Sequence, residues 1–406
     1  MSPTDRPDRL RILIGCDTFF PDVNGAARFS ERLAAGLVER GHDVHIVAPA
    51  QRYRRYRVGT ETIEGQPMTV HRLPAVRWLP HDWLRFVWPW RAKHYARKVL
   101  SAVQPDVVHI QSHIIIGRGL ARIARRRGIP IVATNHVMAE NILDFTVMPP
   151  FIDKLVMKLA WDDAERTFKM ARAVTTPTRR AADFLEQTVD IRGVIPISCG
   201  IDRRNYRPDP APRPQPRMLF VGRLTSEKRV NTTLRALARL VSEADPVRGA
   251  DGTPLDIQFD IIGGGDQSKS LEQLTERLGL QHRVHFLGRL TDEELVERYS
   301  RASVFVIASI AELQSIATLE AMASGLPVIA ADAMALPHLV HDGENGYLFT
   351  PDDDAQLAER LEAVLTAPPE EWLRMQQASL DGVEVHDINR TLDTFEALYR
   401  GEPIPE

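Results

Sequence analysis

Cysteine is scarce in this chain: only Cys16 and Cys199 occur among 406 residues. Each lies at the end of an apolar run, which is typical of a buried thiol in a reducing compartment and argues against a disulfide framework. The chain also has no His/Cys spacing of the zinc type, no G-x-S-x-G nucleophile turn and no Walker loop. These absences argue against the disulfide-stabilised, zinc-finger, serine-hydrolase and P-loop classes.

Excess charge and long hydrophobic runs are lacking as well. The net charge is −3, so any basic surface is local and we expect no nucleic-acid partner. The first apolar run, residues 10–14, is too short for a signal peptide, and no run approaches the length of a membrane span. The expectation is a cytoplasmic protein, with peripheral contact to the inner face of the membrane left open by an aromatic segment described below.

An acidic cluster, Asp352–Asp354, resembles a metal site. It follows Thr350-Pro351 and precedes a predicted helix, where aspartates cap the first turn and favour the helix dipole. We therefore expect a helix cap here, and neither a metal nor another bound cofactor in the protein.

Short β-branched runs alternate with helical stretches along the whole chain. Helices are predicted at 26–40, 91–103 and 151–171. The alternation predicts an α/β protein of parallel sheets with helices on both faces, and the length suits two domains. The predicted strands are 11–14, 44–48, 107–110, 131–134, 174–176, 194–197, 218–221, 257–262, 284–286, 304–307, 328–330 and 347–349.

A composition shift predicts the domain boundary. Prolines occupy every second position from Pro208 to Pro216, which neither a helix interior nor a central strand tolerates. We interpret 208–217 as an extended connector between a first domain, 1–207, and a second domain that begins at 218.

Two carboxylates, Glu312 and Glu320, are the most informative pair. Ser315 is predicted to cap a helix that ends at Gly325, which places Glu312 just before the helix and Glu320 two turns inside it. The flanking residues are small and apolar, so a solvated helix face is not expected. Carboxylates at this spacing suit a hydroxyl-rich ligand whose phosphates meet the helix N-terminus.

Other candidates follow predicted strands, where parallel sheets bind ligands. Arg223 and Lys228 lie on one loop and together suit a diphosphate, although a solvated turn beside Glu227 is the alternative. The turn Gly263-Gly264-Gly265 permits close ligand approach but is weak evidence alone.

In the first half, Asn24-Gly25 is predicted to turn the backbone tightly and to offer N–H groups to a phosphate, a plain turn being the alternative. His136 follows a strand, and its alternative role is a structural hydrogen bond.

Together these pieces resemble the retaining nucleotide-sugar glycosyltransferases of family 4. The resemblance covers nearly the whole chain and rests on an ordered set of motifs. That set comprises Gly222-Arg223…Lys228, the glycine turn 263–265, Phe286-Leu-Gly288, Glu312…Glu320 and Ala321-Met-Ala-Ser-Gly-Leu-Pro-Val328. It implies the GT-B fold, two Rossmann-like parallel-sheet domains facing an interdomain cleft, with a donor domain over 218–384 and a final helix, 385–406, that crosses back to the first domain.

The resemblance also implies roles for the candidates. Arg223 and Lys228 hold the donor diphosphate, with Asn24-Gly25 contributing from the first domain. Glu312 binds a sugar hydroxyl and Glu320 the ribose. Residues near Gly263, Gly264 and Arg289 frame the base, and His136 lies by the reacting sugar and acceptor.

This chain departs from the family pattern at two places. The usual Glu-x-Phe-Gly is here Glu312-Leu313-Gln314-Ser315, and these residues line the sugar pocket, so the donor sugar is left open. The usual Gly-Gly of the first loop is Asn24-Gly25, which alters the phosphate contact.

The chemistry implied is metal-independent. The cations stabilise the departing diphosphate, and Glu312 and Glu320 bind the donor rather than one of them acting as nucleophile. The resemblance implies front-face substitution, with a donor phosphate oxygen taking the acceptor proton.

An aromatic and basic segment bears on the acceptor. Trp78, Trp83, Trp88 and Trp90 alternate with Arg77, Arg85, Arg91 and Lys93, a composition that suits an anionic membrane surface, while nucleic-acid stacking and local packing remain alternatives. Members of the family that act at membranes are similar at 140–143 and 174–178.

We therefore predict a hexosyltransferase that moves glucose or mannose from a UDP- or GDP-sugar to a lipid at the inner membrane face. A soluble oligosaccharide or cyclitol acceptor, a UDP-sugar 2-epimerase of the same fold and an inactive nucleotide-sugar binder are the alternatives.

Overall fold

The protein is described here from a computed structural model. The structure describes residues 9–22, 24–51, 55–77, 85–136, 150–211 and 215–405, without the side chains of 150–157. Trp78, Trp83 and the motif at 140–143 lie outside these residues. Within them, no helix combines the length and the apolar character that a bilayer crossing needs.

The chain forms two compact units, each described by itself. The first comprises Met1–Ser198 and Asn389–Glu406, and the second Cys199–Ile388. The division therefore precedes the proline-rich segment predicted as the connector. The reason is that Ile201 and Tyr206 are buried in the core of the second unit, and Ile201 bridges Asp387 there.

The first unit has ten described strands, β1 to β10, and eight of them form one sheet in the order β10-β9-β8-β7-β1-β2-β4-β3. All pairings in it are parallel except that of β3 with β4, which is antiparallel. A further pair, β5 with β6, is antiparallel. The strand bounds are Arg11–Gly15, Asp43–Pro49, Arg57–Ile63, Gln66–Leu73, Val76–Arg77, Arg85–Phe86, Val107–Ile110, Ile131–Thr134, Ala173–Thr176 and Ile195–Pro196 for β1 to β10.

Helices of the first unit cover the parallel sheet. Their bounds are Gly25–Glu39, Pro89–Val103, Ile116–Arg126, Pro150–Phe168 and Arg179–Thr188 for α1 to α5. The hairpin of β3 and β4 was not predicted. Most of β3 is exposed, and its turn uses Glu64 at φ 47°, a conformation that rarely suits a glutamate.

The second unit is built on an entirely parallel sheet in the order β13-β12-β11-β14-β15-β16. Its strands are Arg217–Val221, Gln258–Ile262, Val284–Gly288, Val304–Ile307, Val328–Ala331 and Gly346–Phe349 for β11 to β16. Its helices are Val230–Leu240, Ser268–Arg277, Asp292–Arg301, Ile316–Ala323, Asp354–Leu365 and Pro369–Gly382 for α6 to α11. The two parallel-sheet units confirm the predicted α/β fold class.

The last helix, α12 (Ile388–Arg400), packs in the first unit. The Arg40 guanidinium donates to Asp393 at 2.6 Å, and His42 Nε2 lies 3.1 Å from Glu396 Oε1. Phe395 is fully buried, with its ring centroid 5.9 Å from that of Phe29. The first unit is therefore completed by the C-terminal end of the chain.

Both cysteines are free and buried, as predicted. Burial raises the pKa of the Cys16 thiol to about 12, so it stays protonated and unreactive.

Candidate functional site

Helix α9 and the loop before it hold the two carboxylates of the second unit. The Ser315 hydroxyl accepts from the Thr318 N–H and caps the helix, and Gly325 follows its end at φ 73°. Glu312 and Glu320 are 8% and 5% exposed, so neither lies on a solvated face. The buried pair and the cap confirm the local structure predicted from the sequence.

Lys228 contacts the first of these carboxylates. Its ammonium lies 2.5 Å from Glu312 Oε1, although 84 residues separate the two. Backbone bonds hold this geometry, because the Ile310 N–H donates to the Glu227 carbonyl and the Ala335 N–H to the Glu312 carbonyl. A cation and a carboxylate are thus fixed together beyond the carboxyl ends of β11 and β14.

Arg223 lies on the loop that leads to Lys228. Its guanidinium is 3.5 Å from Glu227 Oε1, and the Thr225 hydroxyl donates to the same oxygen at 2.6 Å. Glu227 therefore lies next to Arg223 in the structure, as the sequence alternative of a turn beside Glu227 suggested. Arg223 and Lys228 thus each have a carboxylate beside them, Glu227 and Glu312 respectively.

The glycine turn packs directly on the Arg223 loop. A Cβ on Gly263 would lie 1.9 Å from the Gly222 carbonyl oxygen, and one on Gly265 would lie 2.2 Å from that of Leu224. Gly264 has open space instead, and its carbonyl accepts from the Leu224 N–H at 3.1 Å. The turn therefore positions the arginine loop through backbone contact that side chains would prevent.

The third loop of this edge begins at Gly288. The Gly263 N–H donates to the Gly288 carbonyl at 2.8 Å, which joins the ends of β12 and β13. Arg289 follows and is exposed. The structure thus places Arg289 beside the glycine turn, at the edge where the sequence predicted a base-binding region.

Residues 313–315, which were predicted to line the sugar pocket, are buried. The side chain of Gln314 contacts protein groups. Its amide oxygen accepts from the Cys199 N–H at 2.7 Å, and its amide nitrogen lies 3.5 Å from His386 Nδ1. Leu313 is 9% exposed and Ser315 caps the helix. The Gln314 amide group therefore ties this loop to the segments at both ends of the second unit.

Tyr299 was missed by the sequence analysis. Its side chain is fully buried on α8, and its hydroxyl lies 3.0 Å from Glu320 Oε2 and 3.2 Å from the Ala317 carbonyl. A buried tyrosine hydroxyl needs a polar partner, but the sequence does not show which one. Tyr299 orients the Glu320 carboxylate.

In the first unit, Asn24 and Gly25 begin helix α1. Asn24 is extended, with φ −154°, and its side chain accepts from the Ala27 N–H at 3.0 Å. The tight turn predicted for this pair is therefore wrong, because the asparagine side chain caps the helix. Gly25 is the first helical residue, and a Cβ there would meet nothing within 4 Å.

His136 follows β8 and lies against Phe29, with ring centroids 5.0 Å apart. Its Nε2 is 2.9 Å from Gln111 Oε1, at the end of β7. Burial lowers the pKa of His136 to about 4, so the imidazole is neutral near neutral pH. No sequence pattern indicated a role for Gln111, whose side chain is buried.

Trp88 and Trp90 stack on one another at the start of α2. Their ring centroids are 4.9 Å apart, and the exposed fraction is 39% for Trp88 and 65% for Trp90. Arg91, His94 and Lys98 on the same helix are exposed as well. The described half of the tryptophan set therefore lies at the surface beside basic side chains.

The acidic cluster is a helix cap, as predicted. The Asp353 carboxylate accepts from the Ala355 and Gln356 N–H groups. Across the residues that the structure describes, no three His, Cys, Asp or Glu side chains are grouped so as to hold a metal ion.

Comparison with known proteins gives matches to two family models. Residues 23–205 match the model for glycosyltransferase family 4, and residues 202–379 match that for glycosyl transferases of group 1.

Individual proteins are similar over most of the chain. An alpha-monoglucosyldiacylglycerol synthase of Streptococcus pneumoniae is 26% identical, over 88% of this chain and 79% of its own length. A GDP-mannose-dependent alpha-mannosyltransferase of Corynebacterium glutamicum is also 26% identical, over 84% and 76%. The structure of sucrose-phosphate synthase from Thermosynechococcus elongatus superposes with a TM-score of 0.79 at 19% identity, over 97% and 99% of the two chains.

Proposed function

This chain belongs to glycosyltransferase family 4, within the glycosyl transferases of group 1, and has the GT-B fold; we propose that it is a retaining hexosyltransferase that glycosylates a lipid. The donor is a UDP- or GDP-linked glucose or mannose. The observation that carries the proposal is the Lys228–Glu312 pair at the entrance of helix α9.

The second unit binds the donor. Arg223 and Lys228 contact the diphosphate, whose charge is also stabilised by the N-terminus of α9. Glu312 accepts from a sugar hydroxyl once Lys228 turns to phosphate, and Glu320, held by Tyr299, accepts from the ribose.

Departure of the diphosphate is the step that the cations assist. The bond from the anomeric carbon to phosphate breaks while a bond to the acceptor hydroxyl oxygen forms on the same face. The acceptor proton passes to a phosphate oxygen of the leaving group, so no protein nucleophile is needed. Two preorganised cations supply the charge stabilisation that a metal gives elsewhere, and the proposed reaction is accordingly metal-independent. In this proposal His136 lies beside the reacting sugar and the acceptor.

A lipid acceptor is supported by two observations. Exposed Trp88 and Trp90 lie beside Arg91 and Lys98, and amphipathic aromatics next to cations suit the headgroups of anionic lipids. The Streptococcus pneumoniae relative is named for a glucosyldiacylglycerol product. We therefore propose peripheral contact with the inner face of the membrane.

The test is release of nucleoside diphosphate from UDP-glucose, UDP-mannose, GDP-glucose and GDP-mannose, with and without diacylglycerol or a glycolipid in anionic vesicles, in EDTA. Lipid-dependent release from one donor, with an α-linked product by NMR, is expected. Release without lipid indicates a soluble acceptor, an epimerised sugar in the products indicates an epimerase, and a need for added metal contradicts metal independence.

A second measurement addresses the membrane alone. Replacing Trp88 and Trp90 together by serine should reduce sedimentation with anionic vesicles and leave nucleoside diphosphate binding intact. Val385→Ser, which alters an exposed apolar residue of the second unit, is the control. Equal sedimentation of the two variants would contradict the membrane proposal.

A further inference from the structure

Beneath His136 lies a chain of buried polar side chains that connects three strands and the last helix. His109 is fully buried on β7, with Nδ1 2.7 Å from the Tyr399 hydroxyl and Nε2 2.7 Å from the Thr134 hydroxyl. Thr134 continues to the Thr175 hydroxyl at 2.7 Å, and Thr175 donates to the Ala133 carbonyl. These contacts determine where each hydrogen lies.

The direction of the chain follows from its end. The Tyr399 hydroxyl has no other acceptor among the described residues, so it donates to His109 Nδ1, His109 Nε2–H donates to Thr134, and Thr134 donates to Thr175. The long 3.5 Å contact from the Thr175 hydroxyl to the Ala133 carbonyl agrees with this direction. Burial lowers the pKa of His109 to about 3, so the ring carries one N–H, and that hydrogen is donated to Thr134.

This assignment fixes the orientation of Gln111, which is 3% exposed. Its amide nitrogen lies 3.4 and 3.5 Å from the two ring nitrogens of His109, and its oxygen faces His136. In this orientation an amide N–H faces the His109 ring, which is a weakly favourable contact, whereas a flipped amide would place oxygen lone pairs against a ring with no N–H left to donate. The Gln111 oxygen therefore accepts a hydrogen from His136.

We infer that Gln111 is a positioning residue that holds His136 as the Nε2–H tautomer, so that Nδ1 presents its lone pair to a hydroxyl of the sugar or acceptor. A neutral imidazole has one N–H, and the nitrogen that donates to a fixed oxygen cannot accept from a substrate. Phe29, whose ring lies against that of His136 at an interplanar angle of 53°, restricts the ring further. The substrate part of this inference rests on the proposed function, and the tautomer does not.

The tautomer can be measured directly on the full chain. In protein with ¹⁵N-labelled histidine near pH 7.5, long-range ¹H–¹⁵N spectra distinguish protonated from unprotonated ring nitrogens, and His136→Gln identifies the signals of His136. We expect a protonated Nε2 and an unprotonated Nδ1 in the wild type. A protonated Nδ1 would overturn the inference, whatever reaction the enzyme performs.

Gln111→Leu removes the acceptor at similar volume. We expect Nδ1 protonation to become populated and kcat to fall roughly five- to tenfold, the factor of one hydrogen bond, while KM for the donor stays within about twofold. Thr391→Val, which removes a buried hydroxyl of the same unit that donates to the Ser198 carbonyl and takes no part in this chain, is the matched control and should keep both the His136 signals and kcat.

The outcomes separate the inference from the proposed function. Unchanged His136 signals in a folded Gln111→Leu protein would refute the role of Gln111. An equal loss of kcat in Gln111→Leu and Thr391→Val would assign the effect to stability alone and would also refute it. The expected spectra without transfer to any acceptor would leave the tautomer supported and count against the proposed function.

Discussion

The Lys228–Glu312 pair makes a prediction that needs no substrate. In Lys228→Met the Glu312 carboxylate, 8% exposed, loses the cation 2.5 Å away. Removing one partner of a fully buried pair costs about 3–5 kcal/mol. The two side chains retain 15% and 10% exposure, so water reaches them and we expect about 2 kcal/mol.

The assay is thermal unfolding by calorimetry, with hydrogen exchange used to assign the transition to residues 199–388. In a unit of this size about 2 kcal/mol corresponds to a fall in Tm of roughly 4–8 °C. The double variant Lys228→Met with Glu312→Gln leaves no unpaired charge, so its Tm should return to within about 1 kcal/mol of the wild type. Turnover, in contrast, should stay low in the double variant, because Lys228→Met removes about 2–4 kcal/mol of transition-state stabilisation.

Additive single effects would refute this reasoning. If each single variant changed the free energy of unfolding by less than about 0.5 kcal/mol, and the double variant by their sum, the pair would be screened by solvent and Glu312 would need no partner. Stability recovered together with turnover would show that Lys228 acts only on Glu312 and makes no contact with the leaving group.

Two further predictions concern the glycine turn and acid stability. Gly265→Ala should weaken nucleoside diphosphate binding about tenfold, since its Cβ displaces the Leu224 carbonyl next to Arg223; Gly264→Ala has open space, and equal affinity of the two variants by calorimetric titration would contradict the packing argument. Acidification from pH 6.5 to about 4 should destabilise the first unit, because burial lowers the pKa of four of its histidines to about 3–4. The unfolded chain then takes up protons that the folded unit does not, so the free energy of unfolding decreases as the pH is lowered. Hydrogen exchange that stays uniform between the units over that range would contradict this expectation. The four are His71, His109, His113 and His136.

Most strands of the parallel sheets were predictable because they are short, buried apolar runs bounded by turn residues. The capping box that Thr291 and Glu294 form in the structure likewise corresponds to a local Thr-x-x-Glu pattern. The hairpin of β3 and β4 was not predictable, because its first strand is mostly exposed and so lacks a continuous apolar pattern.

The candidate site was predictable where local chemistry decides it. Ser315 and the burial of Glu320 follow from a helix start with small apolar flanks. The contacts of Lys228 with Glu312 and of Gln111 with His136 join different loops or strands, 84 and 25 residues apart. Such contacts depend on tertiary packing, which one sequence without relatives does not reveal.

The return of helix α12 to the first unit has a consequence for biosynthesis. His109 contacts Tyr399, a residue 290 positions later, so the core of the first unit lacks a component until the second unit has been translated. Domains generally fold in order as they leave the ribosome, yet here the second unit, Cys199–Ile388, emerges complete while the first still awaits its final helix. A released chain that ends at Ile388 should therefore contain a folded second unit and a first unit that remains sensitive to protease.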